Sequence, residues 1–253
     1  MSFVSQTLFV ALTAVSFVVA QPATAQRFTL SLNGKTAGSA QMSEKQTGSG
    51  TETSATGSVK VEGLSLSFSR TSQLDKKSEL VNSHLSGVVN AQAVTVDVET
   101  RPDTSTGNGN IHLTVSANGQ KSNNDLDYHP HTVLLTDFDP SGLQTLLDVA
   151  DQNGYRGIWV LSPKQQGQVY AAKIATLADE KGTLDGRRIK VHHLQLIYND
   201  LFVDLFLSDN LELLQAESVA EAYAIVRNGF VLTPGTKPGH APAQTHTGQQ
   251  PDN

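Results

Sequence analysis

The stretch HPHTVLLTDFDPSG, residues 129–142, sets His129 and His131 two residues apart and Asp137 and Asp139 two apart. On an extended chain residues i and i+2 share a side. A histidine pair folded onto a carboxylate pair would suit a zinc-type or acid–base site. A hydrolase reading joins His129, His131 and Asp137 to the distant His192. The competing reading is structural and uses every residue: Pro130 breaks the chain, residues 133–135 make a short apolar strand, and Asp139 with Pro140 opens a helix as N-cap and first helical residue. Asp-Phe-Asp also matches the Asp-x-Asp pattern of nucleotide-sugar transferases, but no nucleotide-binding α/β framework surrounds it.

Further along, His192 and His193 are adjacent, so in a strand they face opposite sides and cannot grip one ion together. His192 shares a face with Leu194, Leu196 and Tyr198, and His193 with Val191, Gln195 and Ile197. Asp204 lies between Phe202 and Phe206 on one strand face, which places an acid within an aromatic surface. If that face lines a cavity, the rings are apolar walls and Asp204 a polar anchor, as in a small-ligand site. A partner for a buried Asp204 is expected from Arg156, Arg188 or Lys190. The candidate ligand-binding residues are therefore Phe202, Asp204, Phe206, His192 and Tyr198. Gly-x-Ser-x-Gly, His-Glu-x-x-His, a phosphate-binding glycine loop and a dinucleotide fingerprint are all absent from the sequence. No catalytic residue, metal ligand or cofactor is assigned, and a non-enzymatic protein is expected.

The elements that must position these side chains are mostly strands. RFTLSLNGK aligns Phe28, Leu30 and Leu32 and ends at Asn33-Gly34, a strong hairpin signal. Val59 and Val61, then Leu64, Leu66 and Phe68, continue the period of two, followed by Val94, Val96 and Val98, and by Ile111, Leu113 and Val115 before Asn118-Gly119. One wet and one dry face per strand is the mark of an antiparallel sheet. Residues 41–57 carry almost no large apolar side chain and read as an outer-edge strand or a flexible excursion. After Asp139 the period changes: Leu143, Leu146, Leu147 and Ala150 fall at helical spacing, with Gly154 as a stop. Strands then resume through residues 201–207, and AYAIVR reads as a strand despite its helical propensity. The fold class is mainly β, a large curved antiparallel sheet or open half-barrel with one central covering helix.

Length and composition bound the rest. The chain has 253 residues, 38% of them hydrophobic, enough for a core. A net charge of −6 without a basic stripe argues against nucleic acid as a partner. Residues 7–20 form an uncharged apolar run followed by Ala23-Thr24-Ala25, the small-x-small form of a secretory cleavage site. The expected organisation is a signal peptide over 1–25, a single β-rich domain over 26–232 and a disordered tail over 233–253 that holds His240 and His246. The run is too short to span a bilayer comfortably, so the mature chain is not expected to cross a membrane. There is no cysteine, which excludes disulfides and thiolate chemistry.

The order of landmarks resembles a diffuse group of exported bacterial proteins of unknown function. It runs from the opening hairpin at Asn33, Gly34, Lys35 and Gly38, through TDFDPSGLQTLL and the turns at Gly167 and Gly186, to VDLFLSDNLELLQAE. That group is similar in architecture to the periplasmic carriers of lipoproteins and lipids. The resemblance implies a curved antiparallel sheet and a periplasmic or extracellular location. The leading expectation is a carrier of an apolar or lipid-like ligand at the cell envelope. The alternatives are an envelope structural or protein-interaction module and a metal-dependent hydrolase.

Overall fold

The structure, a computed structural model, describes residues 25–102, 109–164 and 167–233. Of the expected signal peptide (1–25) and tail (233–253), all but residues 25 and 233 lie outside the described residues. Strands β1 (Gln26–Leu32), β2 (Lys35–Thr47), β3 (Gly50–Val61), β4 (Leu64–Asp75), β5 (Leu80–Val89), β6 (Gln92–Pro102), β7 (Gly109–Ala117) and β8 (Gln120–Asp127) form an antiparallel meander. The sequence turns close it as expected: Asn33 and Gly34 both take positive φ, 52° and 71°, the geometry that matches strand twist in a two-residue hairpin.

A short strand β9 (Thr132–Leu134), helix α1 (Pro140–Gln152) and β10 (Ile158–Ser162) follow. β9 and β10 pair in parallel, because a strand that returns through a helix re-enters the sheet in the same direction. Six further strands complete the chain: β11 (Gln168–Thr176), β12 (Glu180–Leu184), β13 (Arg187–Tyr198), β14 (Leu201–Leu207), β15 (Leu213–Ser218) and β16 (Tyr223–Arg227), with the short β17 (Phe230–Leu232) as a seventh.

The ladder runs from β8 back to β1, crosses to β16, and continues through β15, β14, β13, β11 and β10 to β9. The result, among the described residues, is one sheet of 17 strands. No ladder joins β8 to β9 among the described residues, so the sheet curls like a barrel without closing.

α1 lies inside the curl. Leu146 and Ala150 of the helix are fully buried, as are Leu30, Val160 and Leu205 of the surrounding strands. Asp139 caps α1 by accepting from the Ser141 amide at 3.0 Å. Residues 41–57 prove not to be an excursion: they form most of the β2–β3 hairpin, with β4 along β3, while β1 pairs β2 only as far as Met42 and residues 43–47 form a local edge paired with β3 alone. Their small inward side chains Thr53 and Ala55, with the adjoining Ala40, are buried where α1 approaches these strands. Large side chains would leave the helix no room. Thr53 and Thr145 meet hydroxyl to hydroxyl at 3.2 Å across that contact.

A buried ion pair fixes the helix start. Arg70 points inward from β4, in phase with Leu66 and Phe68, and bonds Asp139; both side chains are almost wholly buried. Arg70 Nε donates to Ser72 Oγ at 2.9 Å, and Ser72 and Ser83 bond each other at 2.7 Å. Such a pair adds little net stability, but losing one partner strands the other charge in the interior. Gly142 makes room for it, since a Cβ there would come within 2.6 Å of Arg70 Nη1.

Across the outer face of β2–β8 run hydrophilic rows. One is Ser43, Ser54, Thr71, His84, Asp97, Thr114 and Asn123; the next is Gln41, Thr56, Ser69, Ser86, Thr95, Ser116 and Lys121. A lipid-facing barrel needs an apolar outer band, and this surface has the opposite character. No described helix is long and apolar enough to cross a membrane.

Candidate functional site

The two histidines and two aspartates of residues 129–142 find separate partners. His129 stacks on Trp159 of β10, ring centroids 3.8 Å apart. His131 sits beside Glu79 in the β4–β5 turn, Nδ1 to Oε1 3.1 Å, and its amide donates to Glu79 Oε2 at 2.8 Å. Asp137 accepts from Lys164 Nζ at 2.9 Å, and Asp139 caps α1. β9 separates the histidines from the aspartates, and His192 binds elsewhere, to Asp179 at 2.9 Å and Asp209 at 3.3 Å. Among the described residues no three His, Asp or Glu side chains converge to hold a metal ion.

Phe202, Asp204 and Phe206 lie on the outer face of β14, opposite Val203, Leu205 and Leu207, which pack on the interior. This face does not line the interior. Phe202 is 51% exposed. Asp204 is held by Gln195 at 3.0 Å and by His193 at 3.3 Å, rather than by Arg156, Arg188 or Lys190. These partners are its neighbours on β13 in the sheet register. Phe206 belongs to a second, small core with Val191, Leu214 and Phe230, formed where β12 and β17 extend over the outside of the sheet. Alternation told which residues share a face; it did not tell which face is inside.

A different recess opens at one end of the curl, close to the start of α1. It has a volume of about 120 Å³ and is lined by Tyr170, Tyr198, Tyr223 and Phe138, together with Lys164 and Glu221. Of the expected ligand residues, Tyr198 lines it. Asn199 at the β13–β14 turn, Leu201 and Val203 of β14, and Asp137 after β9 form further parts of the wall. The ring of Phe138 meets Tyr223 edge-on, centroids 5.8 Å apart. Tyr198 and Tyr223 continue the inward faces of β13 and β16, so the tyrosines are the last core-facing residues before each strand reaches solvent.

The charges at this mouth are unbalanced. Asp137 is paired with Lys164, whereas the Glu221 carboxylate has no hydrogen bond or ion pair among the described residues. Burial first, then the charges of Glu221 and Asp137, together push the Tyr198 hydroxyl up to about 12. Tyr223 is raised well above the usual phenol range by burial first, then by Tyr198, Glu221 and Asp137. At Lys164, burial works against the charged form, yet the bond to Asp137 and the charges of Asp137 and Glu221 outweigh it and raise its pKa. The mouth favours a cation and resists an anion.

An outer groove over β5–β7 is the other cluster of reactive side chains. His84 bonds Asp97 at 2.6 Å and His112 bonds Asp125 at 2.7 Å, both as direct cross-strand neighbours. Thr114 Oγ1 lies 3.5 Å from His112 Nε2, completing a hydroxyl–imidazole–carboxylate row. That hydroxyl, however, donates to Asn123 Oδ1 at 2.8 Å. The backbone amides around it belong to central ladders, leaving no oxyanion-binding donors. The row is a surface hydrogen-bond network.

No protein-family model matches the sequence, and no curated protein matches it. Among solved structures the chain is similar to a beta-barrel-like protein of the domain of unknown function DUF1849 from Brucella abortus. The match has a TM-score of 0.53 at 10% identity and covers 83% of this chain and 97% of that one. At that identity the likeness is one of fold: a curled, barrel-like sheet of the same overall extent.

Proposed function

We propose that this is a non-enzymatic binding protein, exported to the cell envelope, whose ligand site is the recess at the mouth of the curled sheet. The observation that carries the reading is the position of α1. A carrier of an acyl chain needs an apolar chamber, and the interior expected to supply one is filled by Leu143, Leu146, Leu147 and Val149 of the helix. What is left for a ligand is the mouth, about 120 Å³, well below the roughly 300–1,000 Å³ of sites for drug-sized molecules. The occupant is therefore a small compound, bound by tyrosine rings and a few polar groups.

The export reading rests on the apolar run and Ala23-Thr24-Ala25, and it agrees with a cysteine-free chain that relies on core packing. Substituting Leu201→Trp, which fills the recess from its rim, tests the site. In a screen of small compounds by ligand-observed NMR, the binding seen with the native protein should vanish in this variant while its melting transition stays cooperative. Binding that survives the substitution would move the site elsewhere. A second reading, a structural envelope module, is favoured by the same filled interior and would be supported if the native protein bound no small compound.

A further inference from the structure

We propose that the mouth recess binds a small organic ammonium ion, held by the rings of Tyr170, Tyr198, Tyr223 and Phe138 and by the carboxylate of Glu221. This rests on reading the recess as the ligand site, and it names the class of ligand.

Three features converge on that class. Aromatic faces attract cations through the ring quadrupole, and cages of tyrosine are a recurrent solution for substituted ammonium groups. Four aromatic residues line this one recess. The charge balance excludes an anion: two carboxylates, Asp137 and Glu221, face a single lysine, and Asp137 already holds it. Lys164 is in effect a resident ammonium, and the surrounding carboxylates stabilise its charged form. Glu221 is the acid left over, and its pairing with an incoming cation displaces no existing bond. Size agrees: at about 120 Å³ the recess is small beside the roughly 300–1,000 Å³ of sites for drug-sized molecules, which suits a compact ammonium head. Tyrosine hydroxyls and the amides of Gln168 and Asn199 leave the rim able to bond a hydroxyl carried on the same ligand.

The test is isothermal titration of the full chain with choline and with 3,3-dimethylbutan-1-ol, its neutral counterpart of the same shape. Choline should bind saturably, with the neutral alcohol about tenfold weaker or worse. Glu221→Gln should reduce choline affinity by about tenfold and leave the alcohol unchanged. Tyr198→Phe, which keeps the ring, should retain choline binding that Tyr198→Leu loses, with thermal melts verifying that each variant is folded. Equal binding of the two probes, or preference for the alcohol, would overturn the ammonium assignment while leaving the recess a ligand site. Absence of binding by both, with binding of other small compounds that Leu201→Trp abolishes, would also overturn it. If neither probe nor any small compound binds at the mouth, the reading of the recess as the ligand site fails as well.

Discussion

Asp148 of α1 offers a prediction whose size can be worked from the structure. Its Oδ1 accepts from Gln144 Nε2 at 2.8 Å, while Oδ2 is buried beside the Glu44 carboxyl of β2. Burial first, then the nearby Glu44 charge, raise the Asp148 carboxyl from 3.8 to about 7 against the opposing bond from Gln144. The folded state therefore keeps this proton up to about pH 7, whereas the unfolded chain releases it near pH 4. Between those values the folded state binds the extra proton, so stability falls as pH rises through the window. Each pH unit is worth about 1.4 kcal/mol, and the full interval of about three units sets a ceiling near 4 kcal/mol. Because Glu44 is only half-buried and can turn toward water, we expect about 2–4 kcal/mol.

Asp148→Asn copies the protonated form: its amide oxygen still accepts from Gln144 and its NH₂ donates toward Glu44. Urea unfolding followed by circular dichroism at about pH 3, 6 and 8 should find the variant equal to the native protein at the lowest pH, below the unfolded-state value. At pH 8 it should be more stable by about 2–4 kcal/mol. Taking the difference between the two proteins cancels the titration of every group that does not interact with Asp148. A difference that stays flat with pH, or a variant less stable at pH 8, would refute the reasoning.

Two further substitutions probe how α1 is held. Arg70→Met leaves Asp139 charged and buried without its partner and should cost about 3–5 kcal/mol in urea unfolding; adding Asp139→Asn, which keeps a capping side chain, should recover more than about 1 kcal/mol as coupling. Gly142→Ala drives a methyl toward Arg70 Nη1, with the Leu134 carbonyl at 3.0 Å on another side, and should cost about 1–3 kcal/mol, whereas the same exchange at an exposed helix site stabilises by about 0.5–1 kcal/mol.

The hairpins and the helix were legible because local chemistry decides them. Asn-Gly steps specify their own turns, Asp139-Pro140 specifies a helix start, and a period of two survives in almost every strand. Residues 41–57 misled because small inward side chains mark the close approach of a helix as readily as they mark exposure, and only the fold distinguishes the two. Phe202, Asp204 and Phe206 misled for a related reason. The outer face of β14 is partly covered by β12 and β17, so both of its faces carry large apolar residues. Arg70 was missed although a signal was present: it stands in the apolar phase of β4, between Phe68 and Leu74. A charge in that phase needs a buried partner, yet nothing local names Asp139, which lies 69 positions away. The mouth recess was only partly legible, since Tyr170, Tyr198 and Tyr223 come from three strands that meet through long-range pairing.

The most direct test of the central claim is chemical-shift mapping on the isotope-labelled protein, titrated first with choline and then with laurate. If the helix-filled interior leaves only the mouth for a ligand, choline should move the amides of residues 136–138, 198–201 and 221–225, and laurate should leave the interior resonances of Leu146, Val160 and Leu205 in place. Saturable laurate shifts at those interior residues, with no response at the mouth to any small compound, would contradict the account and restore the acyl-chain carrier.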